Sequence, residues 1–541
     1  MTQPQSSPLG NLPRRTLLKG IGAAGLSLAY AGKVSASEDG EDIQYLVVGD
    51  DVTDAVERAG FTVKRELAGG EVLTVIGPEG SEDDLREIGA VDVAEPDAKF
   101  EIDLQDRMQQ LQFDGENLED VRPKDEDDER DPVERDLDWW EDMEMPDAHG
   151  LHDVSAGDDE PAPSWPNQWD KQVSDVDEAH DYATGEGSTI AVIDTGILPT
   201  HPDLEDNINV EDSALFESAL LPCFLDPWDV EGHGTHVAGI AAASPGFDDH
   251  PSVIGTAPDA ELVSIRVFWL ELCFLLVTTT SDILAGIDHA AEVGADAANL
   301  SLGTDPIPPE ANADGVRVAY EKVIQHATRQ GTVVVASAGN SEANLQQGGY
   351  FTTPNSTAGA MSISSSDPAD GLSEYSNFGT NEIDVGAPGG LYEDPEMSLC
   401  AYEEWLDAGE PALITDDPRE PGETGTLWLD ADGEPTANEG QREESIDCEI
   451  PEWPYPFNLV FNTYMDPFTF APTWSWLAGT SMAAPQVSGL AALVRELDPD
   501  ANANQVESAI KHGCEGANGR SDPALGAGRL NALKTVEWVD D

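Results

Sequence analysis

Three short motifs, each at a junction between an apolar run and a turn, constrain this chain more than any other feature. Ile190-Ala-Val-Ile-Asp194-Thr-Gly is an apolar run closed by an acid. Gly232-His233-Gly-Thr-His-Val-Ala-Gly239 sets an imidazole at the start of a helical stretch. Gly479-Thr-Ser481-Met-Ala-Ala-Pro485 sets a hydroxyl where a turn enters an Ala-rich helix. Taken singly, each has an ordinary explanation: an Asp after a strand is a cap, Gly-His-Gly is a loop, and Gly-Thr-Ser is a helix start, since Ser and Thr favour N-cap positions. Taken together they supply the nucleophile, base and orienting carboxylate of serine-type acyl transfer. A serine hydroxyl is a poor nucleophile until an imidazole takes its proton, and the imidazole needs an acceptor on its other nitrogen. The fold must therefore gather three distant positions at one point.

The stretch around these motifs alternates strand with helix. Strands are predicted at Thr189–Asp194, Glu261–Val267, Ala297–Leu302 and Gly331–Ser337, with helices at His233–Ala243, Ser281–Val293, Pro309–Arg329 and Thr480–Glu496. That alternation implies an α/β fold, a parallel sheet covered by helices. Asp194 then falls at the carboxyl end of a strand, where open α/β sheets build their sites.

With these motifs in the order Asp, His, Ser, the chain resembles the subtilisin-like serine peptidases, the subtilases, from about Trp169 to Leu533. The resemblance implies that Ser481 attacks the scissile carbonyl, His233 moves the proton and Asp194 holds the imidazole. It implies that Asn340, in Ala336-Ser-Ala-Gly-Asn340, donates to the oxyanion with the Ser481 backbone N–H. Asn299-Leu300-Ser301-Leu302-Gly303 resembles the segment that pairs with an extended substrate through main-chain hydrogen bonds. Protein or peptide substrates follow, with no cofactor for catalysis. Calcium is common in the family, but no calcium-loop spacing stands out, so a structural Ca2+ is left open without ligands. His201 and His236 read as structural. Gly526 to Leu533 resembles the last element of a minimal subtilase, which leaves no room for an added C-terminal domain.

Two stretches depart from the family pattern. Phe268-Trp-Leu-Glu-Leu-Cys-Phe-Leu-Leu-Val277 stands where relatives have a polar, Gly-rich loop, and reads either as greasy distal subsites or as a plug. A segment at about 389–478, acidic and aromatic, replaces a much shorter connection. A long insertion beside a site is often a lid or specificity element, and inert decoration reads equally well.

The N-terminal region divides into three. Residues 1–36 read as a signal peptide of the twin-arginine type: Arg14-Arg15, an apolar run Ile21 to Ala31, then Val34-Ser35-Ala36. That run is too short to span a bilayer, and no later segment supplies a stable membrane span. Residues 42–104 predict a small α+β unit of strand–helix–strand–strand–helix–strand order, a ferredoxin-like arrangement, with the last strand within Val91 to Ile102. The resemblance implies that this unit is a prodomain, which assists folding and inhibits the enzyme until removed. Residues 105–164 are acidic and lack apolar periodicity, as expected of a solvated linker, and the catalytic domain would run from 165 to 541.

Charge sets the working environment. The 107 Asp and Glu against 26 Lys and Arg give a net charge of −81. Such a surface repels itself in dilute buffer, and at about 1 M salt the Debye length falls to ~3 Å. A chain this acidic suits concentrated salt, as in the secreted subtilases of halophilic archaea. Nucleic acid is excluded as a partner because no basic patch exists to neutralise phosphates. Of the five cysteines, Cys400 and Cys448 share the inserted segment, where a disulfide and two unpaired thiols read equally well. The odd count leaves at least one thiol free or bonded to another molecule.

The sequence thus describes an exported, secreted, salt-adapted serine endopeptidase made as a zymogen. The rival is a catalytically inactive subtilase-fold protein that binds or regulates, its groove blocked by the apolar run or the insertion. An esterase-type hydrolase fails because no Gly-x-Ser-x-Gly elbow surrounds Ser481.

Overall fold

The computed structural model describes residues 26–34, 42–103, 162–218, 222–245, 251–271, 275–308, 314–347, 349–391, 424–429, 444–449, 458–467, 469–516 and 520–540. Most of the expected signal peptide and linker therefore lies outside the described residues. So does Cys400, while Cys448 falls on a described strand.

The described residues begin with strand β1 (Leu26–Lys33), within the stretch expected to be a signal. A small unit follows: β2 (Asp42–Val48), α1 (Thr53–Arg58), β3 (Thr62–Leu67), β4 (Val72–Pro78), α2 (Glu82–Arg86) and β5 (Val93–Pro96). Its antiparallel sheet has the order β3-β4-β2-β5. Alternate residues of the strands face the two helices, so Tyr45, Val47, Leu73 and Val75 close on Val52, Val56 and Leu85 in one apolar core. The strand expected across Val91–Ile102 is in fact two. It breaks at Asp97, and β6 (Ala98–Asp103) continues into a different sheet.

The larger part is built on a seven-stranded parallel sheet. Its members are β7 (Thr189–Asp194), β8 (Ala214–Leu215), β10 (Glu261–Arg266), β13 (Ala297–Leu300), β15 (Val333–Ser337), β16 (Ala360–Ser366) and β17 (Val385–Pro388). They lie in the order β17-β16-β15-β13-β7-β10-β8. Between them in the chain come β9 (Pro222–Cys223), α3 (His233–Ala242), β11 (Trp269–Glu271), β12 (Leu275–Thr279), α4 (Thr280–Glu292), β14 (Leu302–Thr304) and α5 (Asp314–Gln330). Helices cover the sheet, so a central strand such as β7 reads as an unbroken apolar run, and Ile190 to Ile193 are all 0% exposed. Helices α4 and α5 pack together against the sheet, and the small N-terminal unit rests on this pair.

The segment read as one insertion divides. The hairpin β18 (Thr424–Leu429) and β19 (Glu444–Glu449) belongs to a separate unit containing Tyr392–Pro456. The hairpin β20 (Val460–Met465) and β21 (Pro472–Leu477) instead belongs to the larger part and packs on α3. Helix α6 (Thr480–Leu497) follows at once, packs on α3 and runs along β13, β15 and β16; α7 (Ala503–Gly513) and α8 (Ala532–Asp540) are the last described helices.

A second, mixed sheet has the order β14-β1-β6-β12-β11-β9. The apolar run Phe268–Val277 supplies the hairpin β11–β12, with Phe268, Trp269, Leu270, Leu276 and Val277 buried. Cys223 on β9, which pairs with β11, is disulfide-bonded, and Cys514 is a free, buried thiol. Among the described residues no helix is long and apolar enough to cross a membrane.

Candidate active site

Strand β7 delivers Asp194 fully buried at its carboxyl end. Asp194 Oδ1 accepts the Thr195 backbone N–H at 2.7 Å and faces His233 Nδ1 at 2.8 Å. A carboxylate can only accept, so Nδ1 carries the proton, which leaves Nε2 of the neutral ring as the acceptor. The geometry thus selects one imidazole tautomer.

His233 begins α3, and the loop before it is organised by Asp229. Asp229 Oδ1 accepts from Thr195 Oγ1 (2.8 Å) and from the backbone N–H groups of Glu231 and Gly232 (both 2.9 Å). Its Oδ2 accepts from the Thr235 N–H (3.0 Å) and Thr235 Oγ1 (2.5 Å). These donors include the unsatisfied amides of the helix start, which attract an anion. Burial nevertheless pushes the Asp229 carboxyl above its ordinary value, and the hydrogen bonds oppose that shift. Gly232, at φ +108°, precedes the histidine, and a Cβ there would meet Met465 O at 2.6 Å. No other residue fits between this turn and β20.

Ser481 lies in the first turn of α6 and is 1% exposed. Its Oγ donates to Ser301 O at 3.0 Å, while Ser301 Oγ donates to Ser481 O at 2.7 Å. This exchange locks the start of α6 to the β13–β14 break. Asn299 and Leu300, expected along a substrate, are fully buried in β13; Asn299 Oδ1 accepts from Ser488 Oγ on α6 (3.0 Å), and Nδ2 donates to Ser301 Oγ (2.9 Å). Leu302 and Gly303 instead lie on β14, whose edge pairs with β1: Leu26 opposite Leu302, Ser27 opposite Gly303. Asn340 follows β15, and its Oδ1 accepts from both Thr480 N–H (2.9 Å) and Thr480 Oγ1 (2.8 Å). With the amide oxygen so occupied, its NH2 end stays a donor beside the residue preceding the nucleophile.

Behind the site, Lys171 is fully buried and ties α3 to α6. Its Nζ donates to Ile240 O (2.8 Å), Thr256 Oγ1 (2.8 Å) and Gln486 Oε1 (2.5 Å), with Asp170 Oδ2 at 3.7 Å. Burial pulls the ammonium down to about 8. His236 Nε2 meets Ser475 O at 3.1 Å, and burial lowers that imidazole to about 3, so it is neutral. His201 meets Thr473 O at 2.9 Å and accepts the Asp203 N–H at 3.2 Å. Both histidines thus fasten β21 to the core. Among the described residues no group of three His, Cys, Asp or Glu is placed to hold a metal ion, so no calcium ligand is named.

Sequence reasoning missed Asp229 and Lys171. An acid in a chain with 107 of them carries no signal, and a lone lysine gives no hint of burial.

The profile of the Subtilase family matches residues 185–425 and 465–528, more than half of the chain. The chain belongs to the subtilase family. It is similar to the thermophilic serine proteinase of Bacillus sp. (strain AK1), 35% identical over 225 residues, which is 41% of this chain and 49% of that protein. It resembles subtilisin Savinase of Lederbergia lenta at 35% identity over 206 residues, covering 38% and 65% of the two chains. The chain thus spans less than two thirds of these curated relatives. Thermitase of Thermoactinomyces vulgaris is 26% identical over 374 residues, 69% of this subtilase and 96% of thermitase. In fold it is similar to the epidermin leader peptide processing serine protease of Staphylococcus aureus, with a TM-score of 0.60 and 19% identity over 93% of this chain and 99% of the other.

Proposed function

We propose that this subtilase is a serine endopeptidase made as a latent precursor, exported and adapted to high salt. The observation that carries the catalytic reading is the Asp194–His233 contact of 2.8 Å on an α3 packed against the helix that holds Ser481 in its first turn. Ser481 Oγ attacks the peptide carbonyl as His233 Nε2 takes its proton. The oxyanion is held by Asn340 Nδ2 and the Ser481 N–H. His233 then gives the proton to the leaving amine, and water repeats the sequence on the acyl-enzyme, while Asp194 orients the ring without taking the proton.

Latency is supported by the mixed sheet. Strand β6, at the end of the N-terminal unit, pairs with β12, and β1, from the stretch expected to leave with the signal, lies between β6 and β14, which follows directly on Ser301 at the nucleophile. The unit 42–104 would be the prodomain, with maturation in the linker 105–164. The closure of this lane also suits the rival, a subtilase-fold protein that binds or regulates without turnover. Export as a folded protein by the twin-arginine route rests on residues 1–36, and a secreted, halophilic setting of the archaeal kind rests on the net charge of −81.

Ser481→Ala decides between latency and permanent inactivity. We expect this variant to fold, to lose casein hydrolysis, and to remain at precursor size while the wild type loses its N-terminal region. A wild type with no hydrolysis would favour the binding protein, and substantial hydrolysis by Ser481→Ala would reject the assignment.

A further inference from the structure

One ion pair in the mixed sheet has no part in the catalytic constellation. Lys99 stands on β6 opposite Thr279 of β12, and its Nζ reaches Glu271 Oε2 at 2.5 Å. Glu271 lies one strand further out, on β11 opposite Leu275. The two side chains are 20% and 27% exposed, so the contact is neither deep nor fully solvated. It sits on a hairpin whose Trp269, Leu270, Leu276 and Val277 are buried. In a chain with only 26 basic residues, this carboxylate is met by a cation of the strand that fills the lane.

The pairing of β6 with β12 is antiparallel and made by the main chain, from Lys99–Thr279 to Asp103–Leu275. Main-chain pairing accepts almost any sequence, so discrimination along such an edge falls to side chains at fixed register positions. Glu271 lies four residues along from Thr279, in the row of Leu275 and Asp103, so of the side chains a peptide in the place of β6 presents opposite Thr279 only one as long as Lys or Arg reaches it, as Lys99 does. When β6 leaves, Glu271 loses the cation that offsets its partial desolvation, and an incoming Lys or Arg restores that contact. A Glu there, shorter and of like charge, gains no contact with Glu271.

We propose that Glu271 is a specificity-determining residue that selects a basic side chain, Lys or Arg, in a peptide strand laid along β12, at the residue opposite Thr279. The proposal rests on the peptidase reading and on extended substrates taking the place of β6. Because β6 runs on toward the linker where maturation is expected, the selected residue lies several positions before the cut bond. This preference is separate from the side chain at the cut bond itself.

The test uses matured wild-type protein and quenched fluorescent peptides in which Lys, Arg, norleucine or Glu is walked one position at a time through the acyl side. At one position upstream of the cut, Lys and Arg should exceed Glu in kcat/KM by about two- to fivefold, the scale of one partly exposed ion pair. Glu271→Gln should flatten that ratio at that position, and Glu271→Lys should reverse it. The peptide arm on the wild type stands whether or not the variants fold. Hydrolysis with no position preferring Lys over Glu overturns the proposal alone, as does a preference unchanged in Glu271→Gln. No hydrolysis, together with no covalent labelling of Ser481 by a fluorophosphonate, overturns the peptidase reading and this proposal with it.

Discussion

Five donors converge on the Asp229 carboxylate, and they come from both sides of the proposed base: Thr195 next to Asp194, and the turn and first residues of α3. Asp229 touches no reacting atom; it is a positioning residue that fixes where His233 begins its helix. Asp229→Ala should therefore cut kcat by about 10–10²-fold with KM nearly unchanged, because misplacement of a catalytic group costs rate more than binding. The same change should lower stability by about 1–3 kcal/mol through its abandoned donors. Steady-state kinetics on one peptide, with a thermal melt, separate the two effects. An unchanged kcat would show that His233 is held by Asp194 alone. At this scale the motifs at Asp194, His233 and Ser481 were legible because Gly-rich flanks announce them. The mutual Ser301–Ser481 bonds were not, because nothing local in either segment names the other.

Asp97 shows how one residue decides where elements end. It separates β5 from β6, and its carboxylate caps the start of α4, accepting from the Ser281 N–H (3.1 Å), Ser281 Oγ (2.7 Å) and Gln44 Nε2 (2.6 Å). Periodicity through Val91–Ile102 could not reveal this break, since both halves are extended. Strand β16 also went unread: Ser362, Ser364, Ser365 and Ser366 are all buried there, so the apolar signal of a central strand is missing, and β17, only Val385–Pro388, is too short and too rich in Gly and Pro to announce itself. By contrast β7 and β15 were legible as nearly unbroken apolar runs, and β10 and β13 as mainly apolar ones. Burial, with the nearby Asp282 adding to it, pushes Asp97 up to about 7. Around it stand Arg65, 2.5 Å from Asp282, the buried phenol of Tyr320, and Lys64, whose ammonium burial lowers. When the small unit undocks, Asp97 returns to water and to about 4. Between those values the docked form holds a proton that the undocked form releases, so docking takes up a proton. Docking should therefore strengthen as pH falls from about 7 toward about 4, by up to about tenfold per unit, and be weakest and flat in this term above 7. The dissociation constant of the nicked complex, measured across pH at fixed salt, checks this, with Asp97→Asn as the flattened control. Weaker docking at pH 5 than at pH 8 would contradict it.

For the molecule as a whole, the net charge of −81 dominates. Among the described residues the ion pairs include buried or half-buried ones such as Arg65–Asp282 and Lys171–Asp170, but they engage few of the carboxylates. Repulsion among the remainder should make the melting temperature rise steeply between about 0.1 M and about 3 M salt at neutral pH. Lowering pH toward the carboxylate range should replace part of that salt, because protonation removes the same repulsion. A melting temperature flat across salt would reject the high-salt reading and leave the site untouched. The proposed catalysis is tested most directly by treating the matured protein in about 3 M salt with a serine-directed fluorophosphonate and mapping the adduct by peptide mass spectrometry. We expect one label per chain, on Ser481, with hydrolysis lost in step with labelling and no label on His233→Ala. Full hydrolytic activity with Ser481 unlabelled, or an adduct at another serine that alone abolishes hydrolysis, would contradict it.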